Sequence, residues 1–145
     1  MVVAFIRTAA GARAQLRFAD GAFVSLLPES ELGIDAYRFG GTAAGRETAF
    51  FTLYRGGARF LTGSIGQAAG SRFRTTTAVA SLEVQKGEFV AIARRGMQIT
   101  VGAGAVMVRN QRGFLAVHAG ERAFVSDGST APYLVGTAVP FRIAP

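Results

Sequence analysis

From Gly87 onward glycine returns every seven to nine residues, at Gly87, Gly96, Gly104, Gly113, Gly120 and Gly128. Each interval holds one short apolar segment: Phe89–Ala93, Met97–Val101, Ala105–Val108, Phe114–Val117 and Ala123–Val125. Upstream, apolar and polar residues alternate through Arg13–Phe18, Glu31–Tyr37 and Ser81–Gln85, and again through Gly113–His118. A period of two is the signature of a strand with one buried face. Turn dipeptides separate these segments: Asp20-Gly21, Gly40-Gly41, Gly56-Gly57, Lys86-Gly87, Arg95-Gly96, Arg112-Gly113 and Asp127-Gly128. Glycine suits such turns because it adopts positive φ without steric cost. No stretch of eleven residues keeps a 3.6-residue period, so the expected fold is all-β with very little helix.

Evenly spaced short strands build a sandwich, a barrel or a β-solenoid. The brevity of the segments and their small or β-branched residues favour a β-solenoid, or β-helix-like stack, whose narrow core needs such side chains. An antiparallel β-sandwich or meander is the alternative. Leu82, Val84, Phe89, Val90 and Ile92 are the expected core residues.

At 145 residues the chain reads as one domain, and 50% hydrophobic with 17% charged residues excludes disorder. Gly40–Arg46 and Gln67–Ser71 read as glycine-containing loops rather than linkers. Residues 129–145 change character into an apolar, extended C-terminal tail that holds three of the four prolines. The absence of cysteine excludes a disulfide framework, a thiolate nucleophile and a Cys-ligated metal. Uncharged runs such as Gly96–Val108 fall short of the ~18 residues of a membrane-spanning helix. Met1–Arg7 is too short for a signal peptide, so export would require a signal upstream or one already removed.

The net charge of +7 comes from fifteen arginines and one lysine, Lys86. Such a surface admits nucleic acid, anionic membrane, or acidic glycan and protein as partners. The arginines are scattered, with Arg94-Arg95 the only adjacent pair, which reads as solvated sheet-face charge. Arg72-Phe73-Arg74 and Tyr54-Arg55 interleave cations with aromatics as stacking platforms do. On a strand the same spacing simply turns Phe73 inward and both arginines outward. Nucleic acid is therefore disfavoured, and an acidic polysaccharide or lipopolysaccharide is the alternative ligand class for the arginines.

Little else carries chemistry. His118 is the one histidine, with only Glu121 as a nearby carboxylate, so no two-histidine metal site exists. Glu29, Glu31 and Asp35, with Asp20, form a loose acidic cluster whose spacing suits a solvated strand better than a calcium loop. Ser30 has no base placed to activate it except His118 or Lys86, and Gly102-Ala103-Gly104 reads as a turn, not a phosphate loop. The expectation is no catalysis, no metal and no cofactor.

Five segments in order resemble one known family. Thr8-Ala-Ala-Gly-Ala-Arg-Ala-Gln-Leu-Arg-Phe-Ala-Asp-Gly21 is similar to its "T-g-p-g-a … l-x-f-x-D-G" segment. Ser25–Tyr37 resembles "l-x-p-x-S-x-l-x-i-x-x-y", and Leu53–Gly63 resembles "L-x-x-G-x-x-r-x-x-t-G". Thr77–Val90 stands where the family reads "T-P-x-A-x-I-G-V-R-G-T-x-F", and Asn110–Gly120 where it reads "n-x-x-G-x-x-x-V-x-x-G". The family is the FecR domain, and the resemblance covers roughly residues 8–135. Ala78 replaces the signature proline, Glu83 the glycine, and Gln85-Lys86 the arginine-glycine pair, so the signature turn is altered. The family's usual N-terminal portion is not seen, as expected of a processed or shortened member. The resemblance implies a β-rich, extracytoplasmic module, periplasmic or secreted. In the best-known members it belongs to a membrane regulator that relays an outer-membrane receptor's state to a sigma factor.

The expected function is therefore protein binding. The chain begins with Val2, Val3, Ala4, Phe5 and Ile6, and finishes with Tyr133-Leu134-Val135, Val139, Phe141 and Ile143. Neither end reads as a polar cap, and both read as strands able to pair with another sheet. The expected partner is a protein, either copies of this chain in a homo-oligomer or filament, or a cell-envelope protein.

Overall fold

A computed structural model describes residues 4–40, 46–67 and 72–137, and every regular element among them is a strand. Four strands come first: β1 (Ala4–Arg7), β2 (Ala14–Arg17), β3 (Phe23–Leu26) and β4 (Glu31–Arg38). The long β5 (Thr48–Leu61) and short β6 (Arg72–Thr76) lead into two more long strands, β7 (Ser81–Ala93) and β8 (Met97–Asn110). Then β9 (Gly113–His118), β10 (Glu121–Val125) and β11 (Tyr133–Thr137) follow. Val2, Val3, Val139, Phe141, Ile143 and most of the two expected loops lie outside the described residues.

All strands join one open sheet in the order β1-β4-β5-β6-β7-β8-β10-β11, with β3 carrying β2 onto β5 and β9 pairing with β8. β5 and β6 are parallel, and the other described pairings are antiparallel. Stacked solenoid rungs would pair in parallel throughout, and this order does not show them. It is compatible with the alternative, an antiparallel sandwich or meander.

The three long strands change neighbours halfway along. The first half of β5 lies between β4 and β6, and its second half, Gly56–Leu61, between β3 and β7. Residues Ser81–Val84 of β7 lie beside β6, and Glu88–Ala93 beside β5. In β8, Met97–Thr100 pair with β10, and Ala105–Asn110 with β9. The strands therefore bend sharply. Phe51 and Phe60 sit on the same strand, and a straight strand would hold them about 30 Å apart at ~3.3 Å per residue. Their ring centroids are 5.9 Å apart. The bend in β5 turns the sheet into two leaves over one core.

An aromatic cluster fills that core. Phe73 lies 5.4 Å from Phe51 and 6.3 Å from Phe60, and Phe89 stacks on Phe60 at 4.9 Å. Leu26, Leu32, Leu53, Leu82, Met97 and Ile99 surround it, fully buried.

Glycine marks the bends, which corrects part of the sequence reading. Gly56-Gly57, Lys86-Gly87 and Gly102–Gly104 were expected as turns, yet all lie inside strands. Gly56 has φ 81°, and a Cβ there would run into Ser30. Gly104 has φ 72°, and a Cβ there would run into the Lys86 carbonyl. Where chains approach this closely, a bend without side chains is the solution, and the register slips between Val84 and Gly87 and between Glu88 and Phe89. The slips also decide which residues point inward. Leu82, Val84 and Phe89 are buried as expected, whereas Val90 and Ile92 are half-buried, alternating with the buried Phe89 and Ala91.

Candidate interaction surface

The residues that carry the family resemblance are hydrogen-bond nodes. Thr8 Oγ1 donates to the Leu27 carbonyl at 2.6 Å and accepts from the Ser30 N–H at 3.0 Å. Ser30 Oγ donates to the Pro28 carbonyl at 3.1 Å and accepts from the Gly57 N–H at 2.8 Å. That serine is a latch between the β3–β4 turn and the bend of β5, engaged on both sides. Thr62 Oγ1 accepts from the Gly87 N–H at 2.9 Å and so ties the end of β5 to the bend of β7.

Asp20 is the most embedded carboxylate of the acidic cluster. Its oxygens accept from the Ala22 N–H at 3.2 Å, the Tyr37 hydroxyl at 2.8 Å and the Ile65 N–H at 3.0 Å. These bonds join the β2–β3 turn, β4 and the segment after β5. Burial, aided by the bond to Asp20, pushes the Tyr37 hydroxyl up to about 12. The rest of the acidic cluster is dispersed. Glu31 pairs with Arg7 at 3.5 Å, and Asp35 accepts from Thr52 at 2.6 Å. Among the described residues no group of three or more His, Asp or Glu side chains gathers around a common point. His118 is exposed, 3.4 Å from Glu121.

With these groups engaged in the scaffold, the surface remains. β1 pairs with β4 and β11 with β10, at opposite ends of the strand order. Each leaves one backbone edge without a strand partner among the described residues. Phe5 is 49% exposed, and Tyr133, Leu134 and Val135 are 47, 46 and 45% exposed. Ile6 instead packs against the core. Three successive half-exposed apolar residues leave β11 partly open on both faces, with Tyr133 meeting Phe124 at 6.0 Å. β1 is better guarded: Arg7 pairs with Glu31 and sits over Phe5, which also meets Tyr54 at 5.7 Å.

The sequence reading did not single out the exposed Phe39 and Leu61, and it named the exposed Tyr54 and Phe114 only within a cation–aromatic pair and a strand pattern. Phe114 shows the signal that was available, since it alternates with Leu115 and Val117 on β9. Phe73 is fully buried between the outward Arg72 and Arg74, as the strand spacing indicated.

Two crystal structures of a candidate anti-sigma factor from Parabacteroides distasonis have a similar fold. One superposes with a TM-score of 0.73 at 20% identity, covering 92% of this chain and 60% of that one. The other gives 0.72 at 19% identity, covering 93% and 60%. The chain thus spans about 60% of the length of those proteins. Comparison with curated proteins finds no match. The family model for the FecR protein matches residues 4–107, from β1 into β8, and the chain belongs to the FecR family.

Proposed function

We propose that residues 1–145 form a single non-enzymatic, extracytoplasmic protein-binding domain that pairs through its terminal strands, with copies of itself as the first partner. The observation that carries this reading is β11, an edge strand with neither charge nor proline and with Tyr133, Leu134 and Val135 exposed in succession. Edge strands are normally blunted by charge, proline or a covering segment, because their free N–H and C=O groups template pairing. Backbone bonds along β11 supply affinity, and its alternating side chains set register. The opposite placement of β1 and β11 supports head-to-tail joining, which gives a filament if it does not close. A cell-envelope protein is the second partner class, supported by membership of the FecR family and by the anti-sigma description of the structural neighbours.

Light scattering over a concentration series tests the reading. The wild-type chain is expected to associate, and Leu134→Lys with Val135→Lys to abolish association while leaving the β circular-dichroism spectrum unchanged. A wild-type chain that stays monomeric throughout overturns self-association.

A further inference from the structure

A groove of about 590 Å³ opens on the face of β6, the first part of β7, the second part of β8 and β9. Strand register builds it. Arg74 stands opposite Glu83, Glu83 opposite Met107, and Met107 opposite Ala116. In the neighbouring row Ser81 stands opposite Arg109, and Arg109 opposite Phe114. Arg72, Lys86 and Arg109 line the groove with Glu83, and Met107 and Ala116 give it an apolar floor.

Its charge is unbalanced. Arg72 takes the carboxylate of Glu83 at 3.0 Å. Arg74 lies over the Phe50 ring at 4.0 Å and Arg109 over Phe114 at 5.3 Å. Neither they nor Lys86 has an ion-pair partner among the described residues. Three cations thus line the groove beside one carboxylate, and two of them, Lys86 and Arg109, have no counter-charge among the described residues.

We propose that this groove binds an extended acidic segment of a partner protein, with carboxylates at Lys86 and Arg109 flanking an apolar side chain on Met107 and Ala116. The mixed lining favours a peptide over a polyanion. An acidic glycan repeats charge without apolar side chains, so it would leave Met107 unmatched and bring anions against Glu83. Single-stranded nucleic acid stacks successive bases on open aromatic faces, and of the two rings beside the groove Phe50 lies under Arg74, which leaves only the exposed Phe114. Arginine and methionine are also enriched where proteins meet. This surface is separate from the β11 edge and does not rest on edge pairing.

The test is fluorescence anisotropy with the labelled peptide Glu-Asp-Leu-Asp-Glu, against the same peptide with Ser for Leu, a heparin fragment and oligo-dT. Binding is expected for the leucine peptide, weaker binding for the serine peptide, and further weakening with added salt. Lys86→Glu and Arg109→Glu should each weaken it at least about tenfold, because like charges then face each other. Arg112→Glu makes the same change in net charge outside the groove and should leave affinity within about twofold, less than the tenfold that 1.4 kcal/mol gives. Lys86→Gln and Arg109→Gln, which add no repulsion, should weaken binding in the same direction, and thermal melts verify that each variant is folded. No binding of the leucine peptide, equal loss in Arg112→Glu, equal affinity for the serine peptide, or tighter binding of heparin or oligo-dT overturns the proposal. Self-association by light scattering should be unchanged in Lys86→Gln and Arg109→Gln, which separates this outcome from that of the edge reading.

Discussion

Thr75 points into the core from β6, fully buried, and its hydroxyl has no hydrogen-bond partner among the described residues. An unpaired buried hydroxyl costs about 1–3 kcal/mol, so Thr75→Val should stabilise the fold by about 1 kcal/mol, seen as a higher urea midpoint at unchanged slope. Tyr37 is the opposite case, a polar group satisfied by Asp20. Its hydroxyl titrates at about 12 against an ordinary 10.0. The folded state therefore holds this proton more tightly than the unfolded chain does. The associated stability is fully present below pH 10 and is lost as the pH climbs toward 12. Spectrophotometric titration should show a late-ionising tyrosine, assignable to Tyr37. Tyr37→Phe should remove that late step and flatten the alkaline loss of stability.

The long strands show what alternation alone does not determine. Gly113–His118 was legible to the residue, because β9 is a plain strand between two turns. β7 was legible only in halves. Leu82 and Val84 point inward on even positions and Phe89 and Ala91 on odd ones, because the slipped register at Gln85–Gly87 exchanges the faces. In the apolar run Phe89–Ala93 no polar residue marks the outer face, so Val90 and Ile92 looked equivalent to Phe89. The bends themselves can be tested. Gly104 and Gly120 both have positive φ, 72° and 89°, but a Cβ at Gly120 meets nothing within 4 Å, whereas one at Gly104 collides with the Lys86 carbonyl. The φ penalty of about 1–3 kcal/mol is common to both. Gly104→Ala should therefore lower the melting temperature clearly more than Gly120→Ala, since only the former must also push β7 and β8 apart.

At the scale of the whole molecule, β11 is the most expendable part of the sheet. Among the described residues it pairs with β10 alone, and its three largest apolar side chains are each nearly half exposed. Deleting Ser129–Pro145 should lower the melting temperature yet preserve the β circular-dichroism spectrum and a cooperative transition. In light scattering the truncated chain should remain monomeric where the full chain associates. Loss of the whole β signal would show instead that the tail is integral to the core.

By itself the sequence determined the class. Period-two alternation, glycine punctuation and the lack of any helical period leave only strands, and motif residues such as Thr8, Asp20 and Ser30 identified the family. The bonds those residues make were not legible with them, because they reach far along the chain: Thr8 to Leu27 and Ser30, Ser30 to Gly57, and Asp20 to Tyr37 and Ile65. The tertiary structure decided where the sheet bends, because Gly56 and Gly104 look like hairpin turns until the chains crowding them are in place. It also decided which cations meet. Arg72, Lys86 and Arg109 come from three strands, and only the register of those strands, set by cross-sheet packing, brings them to one groove.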